Sequence, residues 1–328
     1  MTAPYTGLRL LLVAHLDESE HAHNALRQRA LERLGCGVQL LDPERAGWIE
    51  RLVRRDIDQR LRSAIDQQPP DLVVVAGQGL VPPDTAADLR RGRPAKWIQL
   101  LDDEIGDADR ASNEAMAYDH VFVGSSGGIT RLERHGIKHA HYLALGCDPS
   151  VHKPLRARGV FRANVVFAGA ASSRRERLLT ELVEFGLAVW GPGWRRTGLK
   201  DYCRGELPTH EDFVRAYAGA TVAVNIHRSG ADDRGGDATG VNRRAFELAA
   251  IGVAQVIDGR PDLPQHFEDG SEVLVYTTPE ELKGQVKRAV QEDKYRDRLA
   301  ENARQRALRH HTYMHRMSAM LAVVTGNG

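Results

Sequence analysis

The chain has 328 residues, 42% hydrophobic and 27% charged, which is enough for one large core or two ordinary ones. Its 45 Lys and Arg against 44 Asp and Glu leave a net charge of +1. That balance gives no global electrostatic reason to expect a nucleic-acid or membrane-surface partner. No run of 18 apolar residues occurs, so no membrane span is expected. The apolar stretch 8–14 contains Arg9, runs into Asp17, Glu18 and Glu20, and lacks a small-residue cleavage site, so no secretory signal is expected either. Three scattered cysteines, Cys36, Cys147 and Cys203, argue against a disulfide framework and fit a reducing cytoplasm.

Taken in chain order, apolar β-rich runs predict strands at 8–14 (LRLLLVA), 38–41, 72–76 (LVVVA), 97–101, 120–123 and 141–143. Helical patterns lie between them, among them 21–34 and 48–65. The rhythm breaks at Gly146-Cys147-Asp148-Pro149 and Lys153-Pro154-Leu155, then restarts. Strands follow at 165–168, 187–190, 221–225, 254–257 and 273–276, with helices at 174–185, 210–218, 242–251, 280–291 and 294–310. Strands alternating with helices read as βαβ units on parallel sheets. The expectation is therefore two α/β halves joined by a proline-bearing hinge near 146–158. Open parallel sheets take ligands at the carboxyl ends of their strands, and two facing halves would hold them in a cleft.

The residues that follow the strands carry the chemistry. The stretch 225–252 (NIHRSGADDRGGDATGVNRRAFELAAIG) leaves a strand at Asn225 and passes through a polar, glycine-rich loop. It enters a helix behind Gly240 and Asn242. A helix N-terminus offers backbone N–H groups and a positive dipole end, and Arg228, Arg243 and Arg244 add cationic charge, a combination suited to a diphosphate. Glu247, one turn in, can accept two ribose hydroxyls; equally, Arg243 and Glu247 can form an ordinary i,i+4 ion pair.

The stretch 165–177 (VVFAGAASSRRER) ends a strand in Gly169-Ala170-Ala171, small residues that permit close backbone approach. Arg174, Arg175 and Arg177 then sit in a first helical turn, where arginine opposes the dipole and needs a reason. A bound anion is one; a solvated basic end beside Glu176 and Glu181 is the other. Trp194, in WGPGWRR, can stack on a base or simply pack. Asp102 and Asp103, at the end of the strand 97–101, can serve as a base or bind sugar hydroxyls, or can cap a helix. His15, Asp17, His21 and His23 match no strong metal pattern and read as a loop lining a cleft, with His15 and His21 as acceptor-side candidates. His310, His311 and His315 read as solvated helix residues.

Several motifs are absent. Gly77-Gln78-Gly79 lacks the third glycine of GxGxxG, with Pro82 in its place, and no GxxxxGK[ST], GxSxG or HExxH occurs.

In order along the chain, the pieces YDHVFVGSSGGITRLERHGIKHAHYLALGCDPSVHKPL, VVFAG…SRRERLL, VWGPGW, YCRGELP, VNIHRSG, GVNRRAFELAAIG, DLPQHFEDGSEVLVY and ENARQRALRHHTYMHRM resemble the CgeB-type (spore-maturation protein) group of GT-B glycosyltransferases. The resemblance covers roughly residues 97–320. It implies the GT-B architecture of two Rossmann-like parallel-sheet domains facing each other across a cleft. An N-terminal acceptor-side domain would span 1–150 and a nucleotide-sugar domain 151–310, with a C-terminal helix and tail, 311–328, that can cross back to the N-terminal domain. It implies a hexosyltransferase-type enzyme using a nucleotide-diphosphate sugar, with UDP-sugar favoured and GDP- or dTDP-sugar as alternatives. No bound cofactor and no metal would be needed.

By this resemblance Glu247 meets the ribose, and Arg174 or Arg175 and Arg228 meet the phosphates. Asn242 and Arg243 face the diphosphate or the sugar, and Asp102 and Asp103 form the acidic strand end. Gly169, Trp194, Asn225 and Gly240 complete the donor-side set. Thr239 stands eight positions before Glu247, where the wider retaining pattern carries a glutamate, which leaves the donor-sugar contacts unassigned. The expected chemistry is metal-independent transfer with retention, through an oxocarbenium-like transition state, to an acceptor the sequence does not name. A nucleotide-sugar epimerase of the same shape and a non-catalytic nucleotide-sugar-binding protein are the competing readings.

Overall fold

The computed structural model of the chain describes residues 3–16, 23–43, 57–102, 105, 107–228 and 238–326. The chain splits into two compact units. The first comprises Met1–Ala144, Arg234–Gly240 and Tyr313–Gly328; the second comprises Leu145–Asp233 and Val241–Thr312.

The first unit is built on six strands: β1 (Arg9–Ala14), β2 (Gly37–Leu41), β3 (Leu72–Ala76), β4 (Lys96–Leu101), β5 (His120–Val123) and β6 (Ala140–Tyr142). All pairings are parallel, in the order β2-β1-β3-β4-β5-β6. A parallel sheet is covered on both faces, so its central strands read as unbroken apolar runs. Accordingly all five residues of β3, LVVVA, are buried. One face packs on helices α2 (Ile57–Gln67), α3 (Pro83–Arg90), α4 (Ala108–Ala115) and α5 (Ser126–Arg134), which contribute Leu61, Leu89, Ala111 and Leu132 to the core. The first unit also holds α1 (His23–Arg33), the described part of the helix expected at 21–34. Of the helix expected at 48–65, residues 48–56 lie outside the described residues.

The second unit is a five-stranded parallel sheet of β7 (Ala163–Ala168), β8 (Leu187–Trp190), β9 (Ala220–Asn225), β10 (Gln255–Asp258) and β11 (Leu274–Tyr276), in the order β11-β10-β9-β7-β8. Alternate residues of β7 face two separate cores: Val165 and Phe167 join one, Val166 and Ala168 the other. Helices α6 (Ser173–Thr180), α7 (His210–Ala218), α8 (Arg243–Ile251), α9 (Pro279–Gln291) and α10 (Asp293–His310) complete the unit. The helix expected over 174–185 ends at Thr180 and continues as a 3-10 turn, Val183–Phe185. Gly186, at φ +82°, then reverses the chain into β8, a conformation that glycine adopts without penalty. His311 is buried, not solvated: its Nε2 lies 3.0 Å from the His266 carbonyl oxygen.

The chain enters and leaves the second unit side by side. The Cys147 N–H donates to the His311 carbonyl at 2.9 Å, and Cys147 forms a parallel bridge with Thr312. Beyond Thr312 the last helix, α11 (Tyr313–Thr325), packs on α1 in the first unit. Its Tyr313, Met317, Met320, Leu321 and Val324 are buried at helical spacing. Lys96 Nζ donates to the Val324 carbonyl at 2.7 Å, a cation at a helix C-terminus. Among the described residues, no helix is long and apolar enough to cross a membrane.

Truncating the chain after Thr312 removes the apolar stripe of α11. At about 1.5 kcal/mol or more for each of the five buried side chains, the loss is about 7.5 kcal/mol or more, on the order of a whole domain's stability. The truncated protein is expected to lose the unfolding transition of the first unit in a thermal scan. An unchanged scan would refute this role for α11.

Candidate functional site

In the second sheet, β8 follows β7 on one side and β9 follows on the other, so the winding direction changes between β7 and β9. Ligands of open α/β sheets bind at such a switch point, outside the carboxyl ends of the strands. Here those ends are Gly169–Ser172 after β7 and Ile226–Arg228 after β9.

The β7 end is laid against the loop after β8. The Gly169 N–H donates to the Trp190 carbonyl at 2.9 Å, and the Ala171 N–H donates to the Pro192 carbonyl at 2.9 Å. Gly191 has φ +119°, and a Cβ there would stand 2.6 Å from the Gly169 oxygen, so the approach requires glycine. Trp194 corrects the expectation of a base-stacking residue. It is 0% exposed, packs edge-on to Phe167, and its Nε1–H donates to the Gly169 carbonyl at 2.8 Å. Its apolar rings fill the core, and its one polar atom orients the glycine loop.

The arginines of α6 find internal partners. Ser172 caps the helix by accepting from the Arg175 N–H at 3.3 Å. Arg175 Nη1 and Nη2 donate to the carbonyls of Ala170 (2.9 Å) and Ile226 (3.0 Å), and its guanidinium lies over the Phe167 ring. It therefore staples the loop after β7 to the loop after β9. Burial pulls its pKa below the ordinary arginine value. Arg174 donates to the His227 carbonyl at 3.1 Å and to Asp258 Oδ2 at 2.9 Å. Strand-end oxygens thus supply a reason for cations in this first turn. Arg228 is exposed at the end of the described loop.

Two residues not singled out from sequence organise this end of the sheet. β9 and β10 are neighbours, with Ile257 opposite Asn225, which brings His227 beside Asp258. Asp258 Oδ1 accepts from the His227 backbone N–H at 3.0 Å and meets His227 Nδ1 at 2.6 Å. His227 Nε2 accepts from the Asn242 backbone N–H at 3.1 Å. A backbone N–H can only donate, so the bonding assigns the ring proton to Nδ1, aimed at Asp258. Asn242 in turn caps α8 through Ala245 and exchanges two amide hydrogen bonds with Asn225, at 2.9 and 3.1 Å. The sequence signal was the pair of adjacent strand ends, Asn225-Ile226-His227 and Asp258. Only the strand order makes it legible.

Glu247 lies on the first turns of α8 and is 2% exposed. Arg244 Nη1 donates to its Oε2 at 3.0 Å, and Arg243 Nε stands 3.7 Å from its Oε1. Arg244 is itself packed over Phe213 and Tyr217. The fully buried His152 accepts from the Asp148 N–H at Nδ1, which leaves its proton on Nε2, 3.6 Å from Glu247 Oε1. Burial lowers the His152 pKa.

The other candidates fall in the first unit. Asp102, just past β4, accepts from Arg27 through both carboxylate oxygens, one at 2.6 Å, and lies 3.0 Å from His23 Nε2. Burial opposes its charge, but Arg27 and His23 outweigh that and hold the carboxyl far below its usual range. A carboxylate held so low is a weak proton acceptor. It anchors the buried Arg27, which also binds Asn24 and approaches the Tyr313 ring. His15, at the end of β1, is half-exposed, with its Nδ1 3.8 Å from Asp42. Gly240 packs on Gly124 and Ser125, where a Cβ would stand 2.9 Å from the Ser125 Cβ. Thr239 Oγ1 accepts from the Gly127 N–H at 2.8 Å, at the start of α5. Asp103 and His21 lie outside the described residues.

Two helix N-termini, the exposed Arg228, the part-exposed Arg174 and a ring of fixed amides thus surround the switch point of the second sheet. This arrangement suits an anion. Among the described residues, no group of three or more His, Cys, Asp or Glu side chains could hold a metal ion.

Residues 174–322 match a family model described as glycosyl transferase-like. None of the curated proteins matches the sequence. Solved structures share the fold. Sucrose-phosphate synthase from Thermosynechococcus elongatus aligns with a TM-score of 0.72 at 13% identity, over 98% of this chain and 100% of that one. HepE from Anabaena, solved with UDP and glucose, aligns at 0.68 and 12%, over 97% and 100%. An alpha-glucosyltransferase, solved with UDP and a 13-mer DNA, aligns at 0.69 and 9%, over 97% and 99%. The architecture is that of GT-B glycosyltransferases: two parallel-sheet α/β units.

Burial raises the Asp258 pKa and the His227 and Arg260 contacts lower it; the second effect wins and holds it at about 2, against an ordinary 3.8. A depressed carboxyl stabilises the fold above its unfolded pKa. That contribution, about 2 kcal/mol, is expected to be present above about pH 4 and lost as pH falls through about 2. Asp258→Asn should cost about 3–5 kcal/mol near neutrality, because it removes the anion opposite the buried Arg260 and the part-exposed Arg174. It should also flatten the acid limb of stability. Denaturant unfolding of both proteins across this range checks it, and parallel acid limbs would contradict the assignment.

Proposed function

We propose that this chain is a glycosyltransferase of the CgeB-type group, moving a hexosyl group from a nucleotide-diphosphate sugar to a hydroxyl-bearing acceptor. The carrying observation is the glycosyl transferase-like match. It begins at Arg174 and takes in His227, Arg228, Asn242–Glu247 and Asp258, the residues gathered at the switch point of the second sheet. UDP is the favoured nucleotide, because HepE and the alpha-glucosyltransferase are solved with it.

In this reading the diphosphate lies against the N-terminus of α8, with the exposed Arg228 as its counter-charge and Arg174 beside it. Preorganised N–H groups and cations stabilise charge that develops on the leaving diphosphate. His227 and Asn242 hold that helix start in place before the donor arrives. Glu247 takes the ribose hydroxyls. Arg243, at 3.7 Å, yields to the ribose, and Arg244, at 3.0 Å and packed over Phe213, stays. Transfer with retention and without a metal is the chemistry we assign, in a reducing cytoplasm that suits three free cysteines.

A thermal-shift panel of UDP, GDP, dTDP and their sugars tests the donor. A ligand that binds only the folded state at 100 times its Kd adds about 2.7 kcal/mol of stability. UDP and one UDP-sugar are expected to give the largest shifts. Arg228→Ala should weaken UDP about tenfold, the worth of one charged hydrogen bond, without moving the melting temperature of the free protein. Normal UDP binding by that variant would sink the site assignment.

Release of UDP that requires an acceptor and survives EDTA is expected of the transferase. Sugar interconversion without acceptor would instead identify an epimerase, and donor binding with neither reaction would identify a sensor.

A further inference from the structure

The first sheet has its own switch point, between β1 and β3, and its β3 end carries the Gly77-Gln78-Gly79 loop that the donor site does not use. A cavity of about 490 Å³ opens beside that loop, between it and the helix α4 that follows β4, within the range of small-molecule sites. Its polar side is Arg110, Asn113 and Glu114 on α4; its apolar wall is Val81, Pro82 and Pro83.

Glu114 is buried yet only partly spent. Its Oε2 accepts from the Gly79 N–H at 2.9 Å and from Gln99 Nε2 at 3.2 Å. Its Oε1 accepts from Arg110 Nε at 3.2 Å, which leaves acceptor capacity on that oxygen. One hydrogen bond behind it, the buried Gln99 Oε1 has no partner among the described residues, a cost that an ordered hydroxyl or water removes. Because Nε is taken, Arg110 presents its η nitrogens from a side chain 63% exposed, and Asn113 is exposed beside it. Gly79, at φ +74°, keeps the space open: a Cβ there would stand 2.5 Å from Arg110 Nη2.

The charges of Arg110 and Glu114 cancel, so the site selects no net charge. It offers donors and acceptors side by side under a proline wall. A group that both donates and accepts is a hydroxyl, and a ring with several hydroxyls and a C–H face fits both surfaces. We infer that this cavity is a binding site for a neutral polyhydroxylated ring, a sugar or cyclitol. The inference stands independently of the donor reading.

The test is saturation-transfer NMR on the full chain with methyl α-glucopyranoside and myo-inositol, with UDP as a parallel probe. At least one polyol is expected to receive saturation, with an affinity that salt does not change, as befits a neutral ligand. Asn113→Ala and Arg110→Ala should each weaken it about tenfold, with UDP binding unaltered. Absence of transfer to both polyols overturns the inference whether or not UDP binds, as does polyol binding that survives both substitutions or is displaced by inorganic phosphate. Polyol binding at this cavity without any UDP binding supports the inference and removes the donor reading alone.

Discussion

The carboxylate of Asp258 is the constraint on which the candidate site depends. It receives the backbone and ring N–H groups of His227 and the guanidinium of Arg174. Through Arg174 it fixes the start of α6; through His227 Nε2 and Asn242 it fixes the start of α8. One buried anion therefore sets the position of two helix N-termini that no covalent bond relates. Buried polar networks of this kind are costly when incomplete and rigid when every member is satisfied. Rigidity is what a binding site for a charged ligand requires, since donors already in place need no reorganisation when the ligand arrives.

The first unit uses the same device. Asp102 stands at the end of β4 and grips Arg27 from α1, as Asp258 stands at the end of β10 and grips Arg174 from α6. Strand ends in a parallel sheet gather polar side chains because the apolar run stops there while the chain is still inside the protein. A carboxylate paired with a helix arginine lets the strand end stay buried. The consequence for function is a division of labour. The acids Asp102, Asp258 and Glu247, the last two buried, have cationic or N–H partners within the fold, whereas Arg228 and Asn113 are exposed.

Much of the fold was legible in the amino-acid order, and less of the site. The strands were readable because a strand buried on both faces has to be a short unbroken apolar run, as in LVVVA. Ser172 and Asn242 were readable as helix starts because capping is a local interaction. Trp194 was not readable. A tryptophan between glycines faces a ligand or the core according to which loop lies over it, and here the Gly169 loop does. Arg174 and Arg175 opposed the local dipole, which marked them as unusual, but the partners that hold them across the sheet lie 51 to 84 residues away.

By itself, the sequence determined the alternation of strands and helices, the parallel α/β class and the stretches in which polar residues follow a strand, because each depends on neighbours within a few turns of chain. The tertiary structure alone decided which strand ends lie side by side. That choice pairs His227 with Asp258, buries Trp194 beneath Gly169, sets Arg27 on Asp102 and leaves Glu114 at the mouth of a cavity. Hydrogen bonds and ion pairs act over a few ångströms, and the residues that meet at these sites are separated by up to 75 positions along the chain.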